Sequence, residues 1–115
     1  MRTLSAIPVL SQRDRTLLRR ITREVRRVIP SASMLLYGST ARGDRTLDSD
    51  FDLLILTNQP ISEREEEAVH DGLYELELSH GVVISAMFYT RDDWNAPLNA
   101  ATPFHQRVEE DAIAL

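Results

Sequence analysis

The feature that most constrains this chain is a polar segment, residues 38–52, that lies between two short apolar runs. The runs cover residues 34–37 and 53–56, and turn-forming residues bound each of them. Short apolar runs with such borders predict buried strands. The chain therefore has to place a Gly-Ser corner and two aspartates where one buried strand ends and the next begins.

Asp50 and Asp52 stand two residues apart at the start of the second predicted strand. Residues i and i+2 of a strand point to the same side, so the two carboxylates are predicted to be neighbours, with Phe51 directed into the core. Adjacent carboxylates repel each other unless a cation lies between them. Mg²⁺ commonly binds through one or two carboxylates and substrate phosphates, so Asp50 and Asp52 are candidate magnesium ligands.

Gly38 and Ser39 form the complementary half of the segment. A glycine at the end of a strand allows a tight turn and a close approach of the backbone. A serine that opens a helix leaves N–H groups and a hydroxyl directed at one point, which is a natural anion site. A Gly-Ser turn or an Asp-x-Asp pair alone is usually without function, but together they indicate metal-dependent chemistry on a nucleoside triphosphate.

The spacing of these residues resembles the G-S-x10-D-x-D signature of the nucleotidyltransferase superfamily. Residues 38–43, GSTARG, and residues 49–53, SDFDL, also resemble the G-S-x-A-R-G and S-D-x-D-L patterns of the small minimal nucleotidyltransferase (MNT) proteins. This resemblance implies an α/β fold of the DNA polymerase beta-like type, a small mixed sheet flanked by helices. Asp50 and Asp52 would be the catalytic metal ligands.

Three residues are expected to bind the nucleotide: Gly38, Ser39 and Arg42. Arg42 is within possible reach of a triphosphate, and the alternative is a surface ion pair with Asp44 or Asp48. The implied reaction transfers AMP from ATP, with Mg²⁺, to a hydroxyl group and releases pyrophosphate. MNT proteins often act as antitoxins that modify a tyrosine of a partner HEPN toxin, a helical ribonuclease, so the resemblance implies such a partner and a hetero-oligomer.

A third acidic residue is missing from the place where the superfamily usually has one. The family pattern puts it in the next predicted strand, near Ser85, where it helps to hold metal and deprotonates the attacking hydroxyl. Residues 82–90 contain no Asp or Glu. Two hypotheses therefore stay open: an active nucleotidyltransferase, and a weak or inactive MNT-like protein that neutralises its partner by direct contact.

Composition limits the class of protein further. The 115 residues predict one domain, residues 1–115, and no window is apolar enough for a membrane span or a secretory signal. The absence of cysteine fits a reducing, cytoplasmic location. A net charge of −5 argues against general affinity for nucleic acids, yet seven of the 13 basic residues, all arginine, fall between residues 13 and 27. These arginines form either a solvated helix face or a surface for an acidic partner or a nucleic acid.

Apolar periodicity and turn residues predict the order of the elements. Residues 1–10 are expected to be loosely held, and residues 45–49 and 95–103 to be loops. Residues 39–43 and 91–94 are expected to form short helices or turns, the second capped by Asp92 or Asp93. The predicted helices cover residues 11–29, 62–80 and 104–111; the predicted strands cover residues 33–37, 51–56 and 82–89; and residues 112–115 form an apolar end.

Overall fold

A computed structural model describes residues 2–3, 10–43 and 50–115. Within these residues one sheet contains β1 (Arg2–Thr3), β2 (Ser33–Tyr37), β3 (Phe51–Thr57), β4 (Ile84–Thr90) and β5 (Ile113–Ala114), in the order β1-β5-β2-β3-β4. β2 is antiparallel to β3 and β5, whereas β1 with β5 and β3 with β4 are parallel. The helices are α1 (Gln12–Val28), α2 (Gly38–Arg42), α3 (Glu63–His80), α4 (Arg91–Asn95), α5 (Pro97–Ala100) and α6 (Pro103–Asp111). The predicted α/β fold, with a small mixed sheet flanked by helices, is confirmed.

The two long helices begin where their capping residues predict. The side chain of Ser11 accepts a hydrogen bond from the Asp14 N–H at 3.0 Å and caps α1. Ser62 and Glu65 form a capping box at α3, which satisfies two N–H groups that the first turn leaves unpaired. Both helices agree with their predicted bounds to within one residue.

The sheet buries both of its faces. Alternating residues of β3, among them Phe51, Leu53 and Ile55, pack against α1 and α3 on one face. Leu54 points to the other face, where Trp94 of α4 and Val108 of α6 cover the middle of the sheet. Asp52 points to the same face as Leu54 and therefore lies on the side of α4 and α6, whereas the side of α1 and α3 is a core surface.

The smaller elements differ from the prediction in several places. Residues 112–115 contain β5, which pairs with residues 2–3, so part of the N-terminal segment predicted to be loose is a strand. The predicted loop 95–103 contains α5, which starts at Pro97. β4 continues to Thr90, and the Thr90 side chain caps α4 by accepting the Asp93 N–H at 3.1 Å, so neither Asp92 nor Asp93 is the cap. The predicted loop 45–49 lies outside the described residues.

None of the helices in the described part of the chain is both long and apolar enough to cross a lipid bilayer.

Candidate active site

Gly38 makes the turn between β2 and α2. Its φ of 79° lies in the left-handed region, where a side chain is strained. A Cβ at this position would overlap the carboxylate of Asp52. Helix α2 begins at Gly38 with Tyr37 as its N-cap residue, so Ser39 lies in the first turn and does not open the helix as predicted. Gly38 thus provides both the turn and the space that brings α2 against the aspartate.

Asp50 and Asp52 lie at the start of β3, where the sequence places them. Asp52 pairs in register with Tyr37, and Asp50 directly precedes the strand. Phe51 between them is fully buried among the residues under α1 and α3, which confirms the predicted alternation. Partial burial raises the pKa of Asp52, the charge of Asp50 raises it further, and the charge of Arg42 lowers it. The two carboxylates therefore repel each other within one site.

Thr40 connects the two halves of the site. Its side chain is completely buried, and its hydroxyl donates a hydrogen bond to the backbone carbonyl of Asp50 at 3.1 Å. The backbone N–H of Phe51 donates to the carbonyl of Val83 at 2.9 Å, which holds the other side of this segment. Sequence reasoning did not identify Thr40, because the contact joins residues ten positions apart and leaves no periodic pattern.

Arg42 lies at the end of α2, with its guanidinium Nη1 3.7 Å from a carboxylate oxygen of Asp111 on α6. Almost half of its side-chain surface is exposed. The alternative partners Asp44 and Asp48 lie outside the described residues. Because Arg42 also lowers the pKa of Asp52, its positive charge acts at the Asp52 carboxylate.

Ser85 lies where the sequence analysis expected the missing acid. It pairs in register with Asp52 on the adjacent strand β4. Residues in register on neighbouring strands point to the same face, so Asp52 and Ser85 are side by side. Among the described residues there is no group of three His, Asp or Glu side chains that is arranged to hold a metal ion. In this part of the chain Asp50 and Asp52 supply two carboxylates, and Mg²⁺ commonly binds through one or two carboxylates together with substrate phosphates.

Tyr37 forms a wall beside Asp52 that the sequence analysis did not assign. Its hydroxyl donates to the sulfur of Met87 at 3.4 Å, and its ring contacts Phe104 edge-on with centroids 5.4 Å apart. Burial raises the pKa of the Tyr37 phenol, and the negative charge of Asp52 adds to the effect. The ring of Tyr37 thus packs on Phe104 beside Asp52, and its hydroxyl is held by Met87.

The site brings together the turn at Gly38 and Ser39, two adjacent carboxylates and one nearby arginine. Comparison with known proteins identifies the family. The model of the family described as nucleotidyltransferase domain matches residues 18–112. A protein of Methanocaldococcus jannaschii that carries the name putative protein adenylyltransferase is 35% identical over 82 residues, 71% of this chain and 75% of that protein. The chain therefore belongs to the nucleotidyltransferase domain family.

Proposed function

We propose that this protein is a Mg²⁺-dependent nucleotidyltransferase that transfers AMP from ATP to a hydroxyl group, a tyrosine of a partner HEPN toxin. The observation that carries the proposal is the close approach of Gly38 to the Asp52 carboxylate, which a Cβ at Gly38 would overlap. This approach supports a phosphate-binding role for the turn beside a metal-binding role for the strand. The similarity to a protein named for protein adenylyl transfer supports AMP as the transferred group.

Each half of the site has its own role in this proposal. Asp50 and Asp52 hold Mg²⁺, which when bound neutralises charge on the triphosphate and on the departing pyrophosphate. Gly38 and Ser39 position the phosphates at the turn, and Arg42 adds a positive charge beside them. Thr40 fixes the backbone of Asp50 relative to that turn.

The reaction forms one bond and breaks one. The hydroxyl oxygen of the acceptor attacks the α-phosphorus of ATP, and the bond from this phosphorus to the bridging oxygen of pyrophosphate breaks. Pyrophosphate leaves with the electron pair, and the acceptor proton passes to solvent. Ser85 is uncharged at neutral pH and does not accept this proton, so the rate lacks the contribution of a general base, typically about 10²–10⁴-fold.

A second function is favoured by the position of Ser85 beside Asp52. The family usually has an acid here, and without it the chain would act as an antitoxin that neutralises its partner by contact. The intact Asp50 and Asp52 pair argues for the first function. A genomic neighbour that encodes a small helical HEPN protein fits both functions and does not separate them.

Label transfer from α-labelled ATP to the candidate HEPN protein, with Mg²⁺, separates the two. The test variant is Asp50→Asn/Asp52→Asn. The matched control is Asp92→Asn/Asp93→Asn, which removes two exposed carboxylates on α4. Label on the partner that persists in the control and disappears in the test variant supports the transferase. A stable complex without label in the wild type supports neutralisation by contact and contradicts the transferase.

A further inference from the structure

The outer surface of α1 and α3 carries positive charge on one helix and negative charge on the other, and neither belongs to the candidate active site. Helix α1 contains seven arginines, in a chain whose net charge is −5. Arg19 and Arg23 are exposed, and within the described part of the chain they form no ion pair or hydrogen bond. They lie one helical turn apart on the side of α1 away from the buried residues Leu18, Ile21 and Val25.

An acidic stripe runs along the outer side of α3. Glu67, Asp71 and Glu75 are spaced by four residues, are all exposed, and likewise have no ion-pair or hydrogen-bond partner among the described residues. Tyr74 and Leu78 lie beside this stripe with 57% and 62% of their surfaces exposed. One helix of the layer thus presents positive charge, and the other presents negative charge with apolar side chains.

The contacts between α1 and α3 set the relative heights of the two stripes. Arg13, near the start of α1, donates to the carbonyl of His80 at the end of α3, at 2.9 Å, so the helices are antiparallel. Glu24 lies against Gly72, where an added Cβ would overlap its side chain. In this register Arg23 is level with Asp71, and Arg19 is level with Glu75.

We propose that two copies of this chain associate through the α1 and α3 surface, with α1 of each copy on α3 of the other. A two-fold axis parallel to the helices produces this arrangement, because it exchanges the two helices across the interface and keeps every residue at its height. Arg23 of one copy then meets Asp71 of the second copy, and Arg19 meets Glu75. An axis perpendicular to the helices would instead place α1 on α1, where like charges repel.

The size of the surface indicates a weak dimer. Each helix is about 26 Å long and about 10 Å wide, so two copies bury roughly 1,000 Å² in total. This area is at the lower end of specific interfaces, so a dissociation constant in roughly the micromolar range is expected. The carboxylates of the candidate active site lie on the opposite face of the sheet, and both sites of the dimer stay open.

Sedimentation velocity of the full chain at low ionic strength, without nucleotide, tests this inference apart from any transferase activity. The wild type is expected to dimerise as its concentration rises. Arg19→Glu/Arg23→Glu puts acidic side chains on both sides of every proposed contact, and Asp71→Arg/Glu75→Arg puts basic side chains on both sides. Each variant alone should dimerise at least about 100-fold more weakly, because four attractive pairs in the dimer become repulsive.

The decisive sample is an equimolar mixture of the two variants, in which acidic side chains again face basic ones at every proposed contact. A one-to-one heterodimer is expected there. Far-UV circular dichroism checks that each variant is folded. If a charge-reversal variant is unfolded, Arg19→Gln/Arg23→Gln replaces it, and this variant is expected to weaken the dimer to a smaller degree. A wild type that stays monomeric at every concentration, variants that dimerise like the wild type, or a monomeric mixture would each overturn the inference.

Discussion

Replacing Gly38 with alanine is the sharpest test of how the two halves of the candidate site are joined. The added Cβ destabilises the protein in two ways: it is strained at a φ of 79°, and it overlaps the carboxylate of Asp52. Gly81 offers a matched control, because it has a φ of 65° at the end of α3 and no heavy atom within 4 Å of an added Cβ. Gly81→Ala therefore measures the backbone cost alone.

The expected magnitudes follow from these two contributions. A non-glycine residue in the left-handed region costs about 1–2 kcal/mol, so both variants lose about that much free energy of unfolding. Gly38→Ala must also turn the Asp52 side chain away from its position, which adds about 0.5–1.5 kcal/mol. If the proposed function is correct, a carboxylate displaced by about 1 Å lowers the transfer rate by about 100-fold, while Gly81→Ala leaves it unchanged.

Urea unfolding and label transfer measure both effects. Each glycine variant is also made in an Asp52→Ala background, where the carboxylate is gone. The extra cost of Gly38→Ala should disappear in that background, and the cost of Gly81→Ala should not change. The reasoning is refuted if Gly38→Ala costs no more than Gly81→Ala, or if its extra cost persists without Asp52.

Three further substitutions test individual side chains of the site. Burial and the charge of Asp50 raise the pKa of Asp52, so the folded protein keeps the Asp52 carboxyl proton at a pH where the unfolded chain has lost it. The free energy of unfolding therefore falls as pH rises above the ordinary carboxyl pKa of about 3.9. Asp52→Asn should make the free energy of unfolding fall less steeply with pH and should stabilise the metal-free protein at neutral pH. The same pH dependence of urea unfolding in the wild type and the variant would contradict this. If the missing general base limits label transfer, Ser85→Asp should raise the transfer rate by about 100-fold or more, and Ser85→Asn should not. Equal transfer rates in the two variants would show that the missing base does not limit the reaction. Thr40→Val removes the buried donor to the Asp50 carbonyl, whereas Thr40→Ser keeps it. The valine variant should lose about 1–3 kcal/mol of stability in urea unfolding and should bind Mg²⁺–ATP more weakly in calorimetry. Identical binding by the valine and serine variants would show that this hydrogen bond does not position the site.

The sequence predicted the parts of the fold that rest on local signals. The caps at Ser11 and Ser62 and the apolar stripes of α1 and α3 need only nearby residues, and both helices were predicted nearly to the residue. The spacing of Asp50 and Asp52 likewise predicted the buried Phe51 between them. The position of Ser85 beside Asp52 came from the family resemblance, and the register of β3 and β4 confirms it.

The missed features depend on contacts between distant parts of the chain. β1 and β5 have two residues each; β1 pairs with β5, and β5 also pairs with β2. The bond from Thr40 to Asp50 and the contact of Tyr37 with Met87 form only after the strands are in register. Capping of α4 by Thr90 was missed because Asp92 and Asp93 are equally good caps by composition, and the extent of β4 decides between them.

Pairing of β1 with β5 also determines when the sheet is complete during translation. The two strands are more than a hundred residues apart along the chain, and β5 lies between β1 and β2. Until residues 113 and 114 have left the ribosome, β1 has no neighbour and the side of β2 that β5 covers is an open edge. Open edges invite pairing with other chains, so the nascent protein is exposed to misassembly along this edge of β2 until β5 is in place.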